Sequence, residues 1–81
     1  MDKLGIVIHV SKNNKLILRT KIKVKIGVRV LNEELKSVGK ILDVFGPKKK
    51  PYVSIEPSIN EAEQFVGKPL YIIMEKRKGK N

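Results

Sequence analysis

The chain has 81 residues, 41% of them apolar, no cysteine, and a formal net charge of +10. This length allows one domain with a thin core, which excludes a deep cleft between lobes, and the lack of cysteine excludes disulfide staples and thiolate metal sites. The charge favours a polyanionic neighbour, because each Lys or Arg that neutralises a phosphate releases a condensed counterion.

In chain order, the apolar pattern is mostly of period two, the mark of strands whose side chains alternate between faces. Leu4, Ile6, Ile8 and Val10 alternate with Gly5, Val7, His9 and Ser11, and Leu16 and Leu18 alternate with Ile17 and Arg19. Between them Ser11-Lys12-Asn13-Asn14-Lys15 predicts a hairpin turn, since Asn tolerates positive φ. Residues 21–26 alternate Lys with Ile and Val, and are expected to be a connection packing its apolar side on a barrel end. Gly27 interrupts, and a short strand is expected at 28–31. Asn32 to Lys36 is a polar turn. Ser37 to Phe45 is the longest strand candidate. A loop bounded by Pro47 and Pro51 follows, then a strand from Tyr52 to Glu56 ended by Pro57.

After Pro57 the pattern changes. Ser58-Ile59-Asn60-Glu61 has capping-box spacing, with Asn60 an alternative N-cap. Ala62, Phe65 and Val66 fit the apolar side of a short helix, Gly67 its C-terminal cap, and Pro69 to Glu75 a last strand. Five or six short strands separated by turn signals point to a sandwich or barrel. Exposed strand edges in so small a sheet favour closure, hence a small barrel over residues 1–75. Residues 76–81 read as a basic, flexible tail.

Few residues suggest chemistry. His9 is the one histidine, too little for a zinc site without cysteine. Asp43 and Glu56 flank the proline-bracketed loop on consecutive strands, where a hairpin can bring them face to face as a carboxylate pair. Basic residues outnumber acids 18 to 8, so ion pairing is the simpler role for both. No phosphate-binding glycine run is present. Gly39, inside a strand pattern, signals a bulge, a corner or a close backbone approach. Phe45 and Phe65 fit a core, with Tyr52 and Tyr71 half-buried. Tyr52 beside Lys50 also fits a base-stacking contact, although no interleaved aromatic–basic stripe accompanies it. Lys48, Lys49 and Lys50, and the tail residues Lys76, Arg77 and Lys78, are the candidate electrostatic contacts to nucleic acid. The physics of the segment from Val38 to Ile55 is shared between a stiff docking face and a plain hairpin.

That segment closely resembles the GAR subunit family of box H/ACA ribonucleoproteins in its archaeal form. The family stretch V-G-K-V-x-D-V-F-G-P-x-x-x-P-Y-V-x-V is matched by Val38-Gly39-Lys40-Ile41-Leu42-Asp43-Val44-Phe45-Gly46-Pro47-Lys48-Lys49-Lys50-Pro51-Tyr52-Val53-Ser54-Ile55. Weaker agreement runs through Leu4 to Val7, Ile26 to Val30 and Val66 to Tyr71. Lys48 departs from a common Val, and the glycine–arginine-rich tails of eukaryotic members are missing. A barrel family found in reaction-centre subunits and ribosome-maturation factors shares the V-G-K-V-x-D strand but not the F-G-P…P-Y-V continuation.

The resemblance implies a closed six-stranded antiparallel β-barrel, like those of elongation factors and reductases, with one short helix. It implies a non-catalytic subunit, without cofactor or metal, that docks on the dyskerin-like pseudouridine synthase subunit. From there it would act on a mobile active-site loop and so on substrate loading and product release. Guide RNA and rRNA would be met through the complex. The docking set it implies is Gly39, Asp43, Phe45, Gly46, Pro47, Pro51, Tyr52 and Val53. Strict alternation limits this set, because it places Gly39, Ile41, Asp43 and Phe45 on one face and Val38, Lys40, Leu42 and Val44 on the other. A free-standing RNA-binding or ribosome-associated barrel is the alternative suggested by charge. An unoccupied docking face would favour weak self-association. No apolar run approaches the ~18 residues of a spanning helix, and Met1 to Gly5 opens no signal peptide, so a cytoplasmic protein is expected.

Overall fold

The computed structural model describes residues 2–58 and 61–73. Six strands are formed: β1 Asp2–Val10, β2 Leu16–Arg19, β3 Arg29–Leu31, β4 Ser37–Phe45, β5 Tyr52–Pro57 and β6 Pro69–Ile72. All pairings are antiparallel, and the order β1-β2-β5-β4-β3-β6 closes into a barrel. Closure removes the sheet edges that an open sheet of this size would leave. The last join is narrow, since among the described residues β3 meets β6 through one register pair, Leu31–Tyr71.

The core is aliphatic. Leu16, Leu18, Val30, Val38, Val53, Ile55 and Leu70 are fully buried. Each such side chain stabilises the fold by about 1.5–3 kcal/mol through apolar surface removed from water. The connection between β2 and β3 packs Ile22 and Val24 against the core and exposes Lys21, Lys23 and Lys25 as expected, but Ile26, expected to pack with them, is exposed.

Strict alternation fails where strands carry an extra residue. In β1 the register shifts between Lys3 and Gly5 against β6, and between Val7 and His9 against β2. Leu4, Val7 and Val10 therefore point inward at every third position, whereas Ile6 and Ile8 are 48% and 47% exposed. The expected grouping of Leu4, Ile6, Ile8 and Val10 is thus corrected by two bulges. β4 has two more irregularities, one at Val38 against β3 and one at Leu42 against β5.

The turns follow local chemistry. Asn14 adopts φ 63° in the β1–β2 turn, and its N–H donates to the Ser11 carbonyl. In the β3–β4 turn the Asn32 side-chain oxygen accepts from the N–H groups of both Glu34 and Lys36. The helix is one 3₁₀ turn, Ala62–Phe65, with both end residues buried in the core. The capping box does not form. Glu61 is the N-cap, at φ 62°, without a side-chain cap, and the Ser58 hydroxyl instead donates to the Val38 carbonyl of β4. Asn60, the other candidate cap, lies outside the described residues. Val66 is exposed rather than core, and Gly67 follows the turn at φ +83°. The expected end of the last strand, at residues 74–75, and the tail at 76–81 with Lys76, Arg77 and Lys78, also lie outside the described residues.

Candidate docking face

The strand order places β5 between β2 and β4, and their registers build a row across the outer wall. Arg19 pairs with Tyr52, and Tyr52 pairs with Phe45. All three side chains point away from the core, because their neighbours Leu18, Val53 and Val44 point into it. The Phe45 and Tyr52 rings stack with centroids 5.6 Å apart and an interplanar angle of 20°. The Arg19 guanidinium lies 4.8 Å from the Tyr52 ring centroid. Contacts of these two kinds each contribute about 0.5–1.5 kcal/mol beyond area burial. The result is a preformed stack whose end member, Phe45, is 44% exposed.

The proline-bracketed loop is strapped beside this stack. The Thr20 N–H donates to the Pro51 carbonyl at 3.0 Å, and Arg19 reaches the Lys50 carbonyl at 3.4 Å. Gly46 adopts φ +95°, and a Cβ there would sit 3.0 Å from the Tyr52 ring. Glycine at 46 thus provides both the left-handed turn and the space the ring occupies. Pro47 and the three lysines Lys48, Lys49 and Lys50 are exposed around the stack, and Pro51 is half-buried.

The expected docking residues divide into two groups. Phe45, Tyr52, Gly46, Pro47, Pro51 and Asp43 share the outer face. Gly39 and Val53 do not, and the reading of them as docking residues is corrected. Val53 is completely buried in the core. Gly39 is buried too, and the backbone it admits is that of its own β5: a Cβ would overlap the Glu56 carbonyl. Leu42 explains the division. It is the extra residue between the pairs Ile41–Ile55 and Asp43–Ser54, so Ile41 turns inward while Asp43 and Phe45 turn outward.

The same register separates the carboxylates. Asp43 faces Ser54 and Glu56 faces Lys40, so the two are not opposed as a pair. Asp43 accepts the Val44 N–H at 2.8 Å, and Glu56 forms an ion pair with Lys15 at 3.9 Å. No cluster of three metal-ligating side chains occurs among the described residues. Of the four aromatics, Phe65 is core and both tyrosines are half-buried as expected, but Phe45 is exposed. The residue missed from the sequence is Arg19. Alternation places it outward on β2, but only the β2–β5 register shows that it caps Tyr52. No described helix is long and apolar enough to cross a membrane.

The chain matches no family model. It is 40% identical over 76 residues to an uncharacterized protein of Methanothermobacter thermautotrophicus, covering 89% of this chain and 83% of that one. It is 39% identical over 75 residues to an uncharacterized protein of Methanocaldococcus jannaschii, covering 93% of this chain and 89% of that one.

Proposed function

The chain belongs to the family that includes these two archaeal proteins, and we propose that it is a non-catalytic accessory subunit of an archaeal box H/ACA RNA-guided pseudouridine synthase complex. In this reading it docks on the catalytic domain of the synthase subunit and biases the active-site loop there. Substrate loading and product release in rRNA pseudouridylation depend on that bias. The observation that carries the reading is the Arg19–Tyr52–Phe45 stack beside the loop from Gly46 to Pro51. Its aromatic members and its loop coincide with the segment that resembles the GAR family. Interface anchors are enriched in Tyr and Arg, and rigid ones lose little entropy on binding.

The test is co-elution with the purified synthase catalytic subunit at micromolar concentration. A complex is expected, and Tyr52→Ala weakens it about tenfold or more while the barrel stays folded. Failure of the wild-type chain to co-elute overturns the reading.

A free-standing RNA-binding barrel is the second reading, favoured by Lys48, Lys49 and Lys50 beside an aromatic stack. Its weakness is geometric. Tyr52 lies between Phe45 and Arg19, so the outer face of Phe45 is the part of the stack left for a base.

A further inference from the structure

A second surface, away from the stack, has a different chemistry. The connection from β2 to β3 presents Lys21, Lys23 and Lys25 to solvent, with Ile22 and Val24 packed inward between them. The strip is anchored by hydrogen bonds at both ends. The Thr20 hydroxyl accepts the Ile22 N–H, the Lys25 carbonyl accepts the Val28 N–H, and the Gly27 N–H donates to the Ile41 carbonyl. Backbone bonds at both ends and the two packed side chains between the lysines tie this connection to the barrel.

The strip leads into a groove of about 390 Å³ lined by Gly27, Arg29, Ser37, Lys40, Glu56 and Ser58 among others. Within it Arg29 and Lys40 are direct register partners on β3 and β4. Like charges placed opposite each other across a sheet are destabilising. Neither side chain forms an ion pair with any described residue. Among the described lining residues the one carboxylate is Glu56, which lies on β5 opposite Lys40 and is shared with Lys15 at 3.9 Å, so Arg29 faces no acid across its register. No acid occurs between Thr20 and Val28. The region therefore gathers five cations: three lysines along the strip, and Arg29 and Lys40 paired across β3 and β4 in a groove that also holds two serines, two glycines and a proline. A phosphodiester relieves that repulsion and accepts hydrogen bonds from both cations.

We propose that this strip and groove bind the phosphate backbone of RNA. Lys21, Lys23 and Lys25 would track successive phosphates, with Arg29 and Lys40 clamping one in the groove. The site is distinct from the docking stack and does not depend on the partner assigned to it. It reads no sequence, because backbone contacts position but do not specify.

The test uses the full chain and a single-stranded RNA of about 20 nucleotides, with affinity measured across a salt series. Each phosphate contact to single-stranded RNA contributes roughly 0.7 to the slope of log affinity against log salt. Replacing Lys21, Lys23 and Lys25 by Ser is expected to reduce that slope by about 2, with an affinity loss of about tenfold or more at low salt. Arg29→Gln with Lys40→Gln, which together hold one phosphate, reduces it by about 0.7 and decides the matter if the triple variant does not fold. Replacing Lys48, Lys49 and Lys50 by Ser removes the same charge and is expected to change the slope by less than about 0.7. An unchanged slope in the strip variant, or in the groove variant should the strip variant not fold, overturns the proposal. So does an equal loss in the loop variant, which would indicate a diffuse charge effect. Competition by millimolar inorganic phosphate beyond its ionic-strength effect would reassign the groove to free phosphate and also overturn it.

Discussion

Gly39 of β4 lies against the main-chain carbonyl of Glu56 in β5, so close that a methyl group at position 39 would overlap the oxygen and reach within 2.9 Å of Pro57 Cα. Both obstacles are backbone and cannot rotate away. Gly39→Ala is expected to destabilise the barrel by about 1–3 kcal/mol, as overpacking does. In a chain of this size that lowers Tm by about 4–8 °C per kcal/mol. Circular dichroism during heating measures it. An unchanged melting curve combined with weakened docking would return Gly39 to the partner face.

Tyr52 and Val53 are neighbours in sequence with opposite duties. Val53→Ala removes fully buried methyl groups and is expected to cost about 2 kcal/mol of stability, read from denaturant midpoints. Under the proposed docking, its folded fraction is expected to keep full affinity for the synthase subunit. Arg19→Lys does the reverse. It leaves stability nearly unchanged but loses the planar stacking partner of Tyr52, so docking weakens several-fold, since Lys does not replace Arg at a stacked site. A binding titration in which Val53→Ala loses more affinity than Arg19→Lys would contradict this assignment.

How much of this was legible in the sequence depends on periodicity. The alternation of Leu16 to Arg19, the proline brackets and the Asn-rich turn predict a closed barrel of short strands, and the barrel is there. The failures share one cause. Period-two reading assumes uninterrupted pairing, and β1 and β4 each break register twice. That is why alternation puts Ile6 and Ile8 on the face of Leu4 and Val10, and Ile41 on the face of Asp43 and Phe45, where the barrel separates them. The capping box failed for another reason: Ser58 found a tertiary acceptor in Val38, which local spacing cannot show. Arg19 needed the cross-strand register, which pairs residues 33 positions apart.

The Leu42 bulge gives a sharper test. Deleting Leu42 leaves Ile41–Ile55 and Asp43–Ser54 as consecutive pairs in a regular strand, with Ile41 and Val44 still inward and Asp43 and Phe45 still outward. The variant is therefore expected to fold with its core intact, as shown by a cooperative melt. It should dock more weakly, because the local twist that the bulge adds to β4 and the exposed Leu42 side chain are both lost. A deletion variant that aggregates or loses its cooperative transition would show that the extra residue serves folding itself.

Among the described residues one register pair joins β3 to β6, which makes the wall of the barrel unequal around its circumference. The Leu31–Tyr71 join stands nearly opposite β5, the strand that carries Tyr52. Thermal opening therefore has a preferred line, and it runs along the back of the molecule. Amides of the three-residue β3 should exchange with deuterium well before those of β5, whose two long ladders hold it on both sides. A protein made this way can breathe without blurring the face it presents, because its softest joint and its stiffest surface lie on opposite sides of one small cylinder.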